Sequence, residues 1–242
     1  MSVKSNPKID PKTLENVVSE AARPFVLDED ALRALTRALS PERLTTYLGE
    51  TGGDLRRALG LHVWNTALGA AFLGPLQALE VTVRNALERE LARAYGPAWF
   101  DAPRCPLSPL ARTIVAEAKS QLLAQGAPID APHVIAGLSF GFWVALLERR
   151  AEMVLWRPTL HRAFPHARLA RAPVHQRLDH LRRLRNRIVH HEPIFRRHLR
   201  ADHRSLLRVA GWIEPRVGEW IAHHSRVDTV LLGGDGETDA RF

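Results

Sequence analysis

Apolar residues recur along this chain at intervals of three and four, and no run of alternating β-branched residues is flanked by hairpin turns. Leu76, Leu79, Val83, Leu87 and Leu91 form one helical stripe, and Val174, Leu178, Leu181 and Ile188 share the face of another. An all-α chain is expected. Its punctuation follows the chemistry of helix ends. Ser40-Pro41 starts a helix. Asp54 caps one reaching about Leu73, Pro75 starts a new one, and Gly96-Pro97 ends it. Ser108-Pro109 opens the next helix and Gly126 closes it. Asp130 and Ser139 are caps for the region containing "LSFGFWVALLERR". Pro173 begins a basic helix and Pro193 limits it, because the residue before a proline is pushed out of the α region. A last helical region runs from an Asp202 cap through Trp212 and Trp220, bent or broken near Pro215.

A length of 242 residues allows one large domain or two small ones. The pattern favours one, over residues 26–225, between flexible tails at 1–25, which has few large apolar residues, and 226–242, which is rich in glycine and acid. The longest nearly apolar run, "ALGAAFLGPL" at 67–76, is about half of what a bilayer crossing needs, so no membrane span is expected. With a single cysteine, Cys105, there can be no internal disulfide, and a reducing cytoplasm fits.

Charge changes the picture more than composition does. Most of the net charge of +8 falls in one segment, since residues 171–200 hold nine arginines against Asp179 and Glu192. Clustering of this kind attracts polyanions, above all nucleic acid phosphates, or else is a solvated helix face. Within it, "LRRLRNRIVHHEPIF" (181–195) brings arginines and adjacent histidines together. An arginine supplies a planar fork for phosphate, and histidine moves protons near neutral pH. That pair suffices to cleave RNA without a metal. The histidine takes the ribose 2′-OH proton while the arginine stabilises charge at phosphorus. On a regular helix Asn186 and His190 share a face, whereas Arg185 and His190 point about 140° apart. Either the helix loosens before Pro193, or two copies of it meet and share residues. The other histidines do not form a metal site: His175/His180 and His198/His203 are spaced i, i+5, which is poor for ligation from one helix, and no cysteines support them. No cofactor motif is present.

"RNRIVH" resembles the Arg-Asn-x-x-x-His form of the motif of the HEPN superfamily, whose members are α-helical and often metal-independent ribonucleases. Taken with "LHVWNTALGAAFLGPLQALEVTVRNALERELARAYGPAWF" (61–100) and "LSFGFWVALL" (138–147), it is similar to the Abi-like, abortive-infection branch. The resemblance covers roughly residues 40–222. It implies a HEPN-like helical bundle with additional helices, and an endoribonuclease of phage defence with toxin character. The products would be a 2′,3′-cyclic phosphate and a 5′-hydroxyl, made at a homodimer interface. Arg185 and His190 match the catalytic pair and Asn186 the polar residue beside it. His191 and Glu192 fit the local "HHE" form, and Glu80 and Arg84 are candidates to buttress the catalytic helix. Arg182, Arg183, Arg187, Arg196 and Arg197 would hold RNA.

Each role has a structural counterpart. Arg185 could pair with an acid, Asn186 brace a loop, His191 bond carbonyls at the helix end, and Glu192 pair with an arginine. Glu80, Arg84 and Glu88 could form a ladder of ion pairs. The six tryptophans read as core or interface anchors. A non-catalytic RNA-binding or protein-interaction module remains the alternative to the enzyme, and an effector held inactive until infection, by an antitoxin or another regulator, is a third reading.

Overall fold

The computed structural model describes residues 25–234. Among these every regular element is helical and no strand is present. The chain groups into two compact units, divided after Leu59, where one domain over 26–225 was expected.

In the first unit, α1 (Glu29–Leu39) is capped by Asp28, whose carboxylate accepts from the Ala31 amide at 2.8 Å. α2 (Pro41–Glu50) has Ser40 as its cap, as its sequence indicates, and buries Leu44 and Tyr47.

The second unit begins within α3 (Leu55–Tyr95), a helix of 41 residues that continues through Pro75. A break at Gly74-Pro75 was expected, and the structure overrules it. Gly74 has no Cβ to clash with the proline ring, which removes part of the penalty on a residue preceding proline. Buried Leu68, Phe72, Leu76 and Leu79 lie on both sides of the step, so breaking the helix would expose a continuous apolar stripe. By length and composition α3 could cross a bilayer, and half of its most apolar window is buried.

α4 (Pro109–Ala124) begins at Ser108 and closes on Gly126, whose φ of +65° fits the left-handed cap; the Ala127 amide reaches back to the Leu122 carbonyl. α5 (Ala131–Gly137) and α6 (Phe140–Ala145) are capped by Asp130 and Ser139, as read from sequence. Short 3-10 and π turns follow between Arg149 and Ala163. The basic helix α7 (Arg171–Val189) starts two residues before Pro173, which sits in the first turn, where its missing N–H is harmless.

α8 (Leu199–Ile213) is not capped by Asp202, which is buried inside its first turn and used for tertiary pairing. α9 (Pro215–His224) is a separate helix with Glu214 as its cap. The α8–α9 corner is close-packed, because a Cβ on Gly218 would stand 3.0 Å from the Leu207 carbonyl. α10 (Val227–Gly233) occupies part of the expected C-terminal tail. It is held by buried Val227 and by Trp64, whose indole donates to the Val230 carbonyl at 3.1 Å. Residues 1–24 and 235–242 of the two expected tails lie outside the described residues.

One core joins α3 to α10, with Trp99, Phe142 and Trp143 at its aromatic centre. Both apolar stripes read from sequence are buried in it. Trp220 is the exception among the tryptophans, since it is exposed on the wall of an open groove of about 570 Å³ beside Pro75 and Val81.

Candidate active site

α7 carries the candidate residues, and its placement follows from side chains at both ends. At the start, buried Arg171 donates to the Leu147 carbonyl (2.6 Å) and to Glu152 (2.7 Å). That hydrogen bond is the main reason the Glu152 carboxyl lies below its usual range. Along the middle, Gly69 of α3 lets Ile188 approach, and Gly141 of α6 lies against Arg182. At the end, the Glu192 amide bonds the Arg187 carbonyl (2.8 Å) and the His191 amide bonds that of Ile188 (3.0 Å). This is a Schellman closure with His191, at φ +57°, in the position glycine usually takes. Beyond it Asn65, buried in α3, accepts from the amides of Ile194 (2.7 Å) and Phe195 (3.3 Å). Segments 61–100 and 138–147 therefore both touch α7 or the loop that leaves it.

Helical bonding persists to the cap, where the His190 amide donates to the Asn186 carbonyl at 3.0 Å. The loosening begins only at His191. Arg185 and His190 thus keep the divergent directions of a regular helix, about 140° apart. His190, His191 and Glu192 are exposed, while Arg185 and Asn186 are partly buried.

Arg185 points toward α3, where its Nε lies 3.5 Å from Glu80 Oε2. Glu80 therefore meets the candidate helix, while the Arg84 guanidinium donates to Asn85 at 3.2 Å and, among the described residues, forms no ion pair with that helix. Among the described residues no ion pair joins Glu80 to Arg84, so the ladder reading gives way to a contact between helices.

The arginines expected to hold RNA are largely engaged within the chain. Arg182 and Arg183 share Asp179, at 2.7 and 2.8 Å. Burial alone would raise the Asp179 carboxyl, but the hydrogen bond and charge of Arg182, with the charge of Arg183, hold it below its usual range. Arg187 pairs with Glu192 at 3.2 Å and donates to the Pro193 carbonyl. Arg196 lies over the Phe195 ring at 5.7 Å. Arg197 pairs with buried Asp202 at 2.9 Å, and the same carboxylate is 2.5 Å from His180 Nε2. The same His180 Nε2 also lies 2.9 Å from the Arg197 guanidinium, so the three side chains form one polar cluster. Burial pushes His175 down, against the pull of Asp179.

Sequence reading missed Asn65, Glu152 and the His180–Asp202–Arg197 cluster. Asn65 alone left a signal, as a polar residue inside the apolar run "VWNTALGAAF". Among the described residues no three His, Cys, Asp or Glu side chains converge to hold a metal. Burial raises the Cys105 thiol to about 11, which leaves it a poor nucleophile. Compared with models of known families, curated proteins and solved structures, the chain matches none.

Proposed function

We propose that the protein is a metal-independent endoribonuclease of HEPN type, acting as a cytoplasmic homodimer in phage defence. Its site is made by the C-terminal halves of two α7 helices. The observation that supports this reading most is the state of α7 at its end. His190 caps a regular helix and is open to solvent, while Arg185 of the same turn region is turned toward α3. One copy aims the two at different places, and a second copy supplies the missing partner.

In this reading His190 takes the proton from the ribose 2′-OH and returns one to the departing 5′-oxygen. Arg185 faces the phosphorus. Glu80 holds it through Nε, leaving its terminal nitrogens to hydrogen-bond the non-bridging oxygens as charge accumulates. Asn186 lies one turn before His190 on the same face and orients the ribose or the imidazole. The attack closes a 2′,3′-cyclic phosphate and releases a 5′-hydroxyl, and no metal is needed at any step.

The test mixes two variants. Arg185→Ala and His190→Ala should each cut RNA in EDTA at least about 10²-fold more slowly than wild type. Unfolded and refolded together in equal amounts, they should recover about a quarter of wild-type activity, since half the dimers are mixed and each has one intact composite site. No recovery with both proteins folded would overturn the composite site. Wild type that binds RNA but cuts none would favour the non-catalytic module.

A further inference from the structure

Eight arginines between 171 and 197 each have a partner inside the chain: a carboxylate for 171, 182, 183, 185, 187 and 197, and an aromatic ring for 177 and 196. α8 differs. Its buried face is built from residues such as Leu206, Val209 and Ile213, and its opposite face carries Arg200, Arg204 and Arg208 at i, i+4 and i+8. All three are exposed, and among the described residues no carboxylate lies within ion-pair distance of any of them. Like charges at this spacing destabilise a helix, so the row has no structural benefit to explain it. At its head is a hollow of about 380 Å³, lined by Arg200, Arg204 and His198 together with Trp64 and Phe195.

We propose that this face of α8 is a binding track for single-stranded RNA, distinct from the Arg185–His190 site. Arg200, Arg204 and Arg208 each take a backbone phosphate, and the hollow receives an unpaired base against Trp64 and Phe195. The choice of RNA as the polyanion rests on the ribonuclease reading. The geometry of the track rests on α8 alone. Successive arginines are about 6 Å apart along the axis, comparable to the step between phosphates of an extended strand, and each guanidinium fork matches a phosphate. Aromatic rings beside a cationic row suit a strand whose bases are free to stack, which a duplex does not offer.

The experiment uses full-length His190→Ala protein, which does not cut, and a fluorescent single-stranded RNA of about 20 nucleotides, long enough to exceed one site of roughly 4–16 nucleotides. Polarisation is measured over a range of salt concentrations. Adding Arg200→Gln, Arg204→Gln and Arg208→Gln should raise Kd at least about tenfold and reduce the salt slope by about 2, the release expected for three phosphate contacts on a single strand. The melting temperature should hold or rise, which excludes unfolding as the cause. A control triple, Arg149→Gln, Arg162→Gln and Arg216→Gln, removes equal charge elsewhere. If it weakens binding as much, or if duplex RNA binds as tightly as the single strand, the proposal is overturned. Unchanged binding by the α8 triple also overturns the track while leaving cleavage by wild type, and hence the ribonuclease reading, intact. Loss of binding in a protein whose wild type cuts no RNA supports the track and removes the enzyme.

Discussion

Glu80 Oε2 stands 3.5 Å from Arg185 Nε, so the arginine assigned to phosphate is held by a carboxylate from a different helix. The contact is longer than a strong charge-assisted hydrogen bond, and both side chains are partly exposed. An ion pair of this kind contributes about 0–1 kcal/mol to stability. Its value in the proposed mechanism is aim rather than strength. Glu80→Gln should leave the melting temperature nearly unchanged and lower kcat more than it raises KM. Arg185→Ala should reduce cleavage by about 10²–10³-fold, the loss typical of a single oxyanion donor. Arg185→Lys should fall between, since it keeps the charge without the fork. Equal cleavage by wild type and Arg185→Ala would remove Arg185 from the chemistry.

Asn65 joins α3 to the loop that follows His190, through two amides accepted by one side-chain oxygen. Asn65→Ala leaves both donors without that partner in a buried place, at a cost of about 1–3 kcal/mol. Urea unfolding should show this loss, and hydrogen exchange at Ile194 and Phe195 should accelerate more than at α3 amides. If only global stability falls, with no preferential opening at these two amides, the hydrogen bonds are not what fixes the loop.

Local signals were legible in the sequence, and signals that depend on a distant partner were not. Ser40, Ser108, Asp130 and Ser139 were readable as caps because a cap satisfies amides only two or three residues away. Pro75 was misread because the local rule that breaks a helix competes with burial of Phe72, Leu76 and Leu79, which only the assembled core reveals. Asp202 looks like a cap in isolation, yet His180 and Arg197 draw it into a buried cluster. The candidate site divides in the same way. Arg185 and Asn186 lie on α7 and His190 caps it, while the commitment of Arg182, Arg183, Arg187 and Arg197 to carboxylates could not be read from the count of arginines.

His191 occupies the left-handed position of the α7 closure at φ +57°. A non-glycine residue there costs about 1–2 kcal/mol, whereas glycine adopts the conformation freely but loses more entropy on folding. His191→Gly should therefore stabilise the protein by a net of about 0.5–1 kcal/mol in chemical denaturation. Cleavage should survive, because the proposed proton transfer belongs to His190. A stabilised variant with no activity would transfer that role to His191.

The Arg171–Glu152 contact at the head of α7 gives stability a pH dependence whose sign is fixed. The hydrogen bond from Arg171 is the leading cause that holds the Glu152 carboxyl below its ordinary value of 4.5. A carboxylate depressed in the folded state stabilises that state at pH values above its unfolded pKa. The benefit declines as pH falls through the folded pKa and the group takes up a proton. Glu152→Gln should therefore be less stable than wild type at neutral pH, with the gap constant down to about 4.5 and closing below it. In an Arg171→Met background the same Glu152→Gln change should show a smaller gap and a weaker closure, because the leading cation is gone and only Arg157 still holds the carboxyl down. Parallel melting curves between pH 7 and pH 3 for wild type and Glu152→Gln would mean that the pair does not shift the titration, and that Arg171 is held by the Leu147 carbonyl instead.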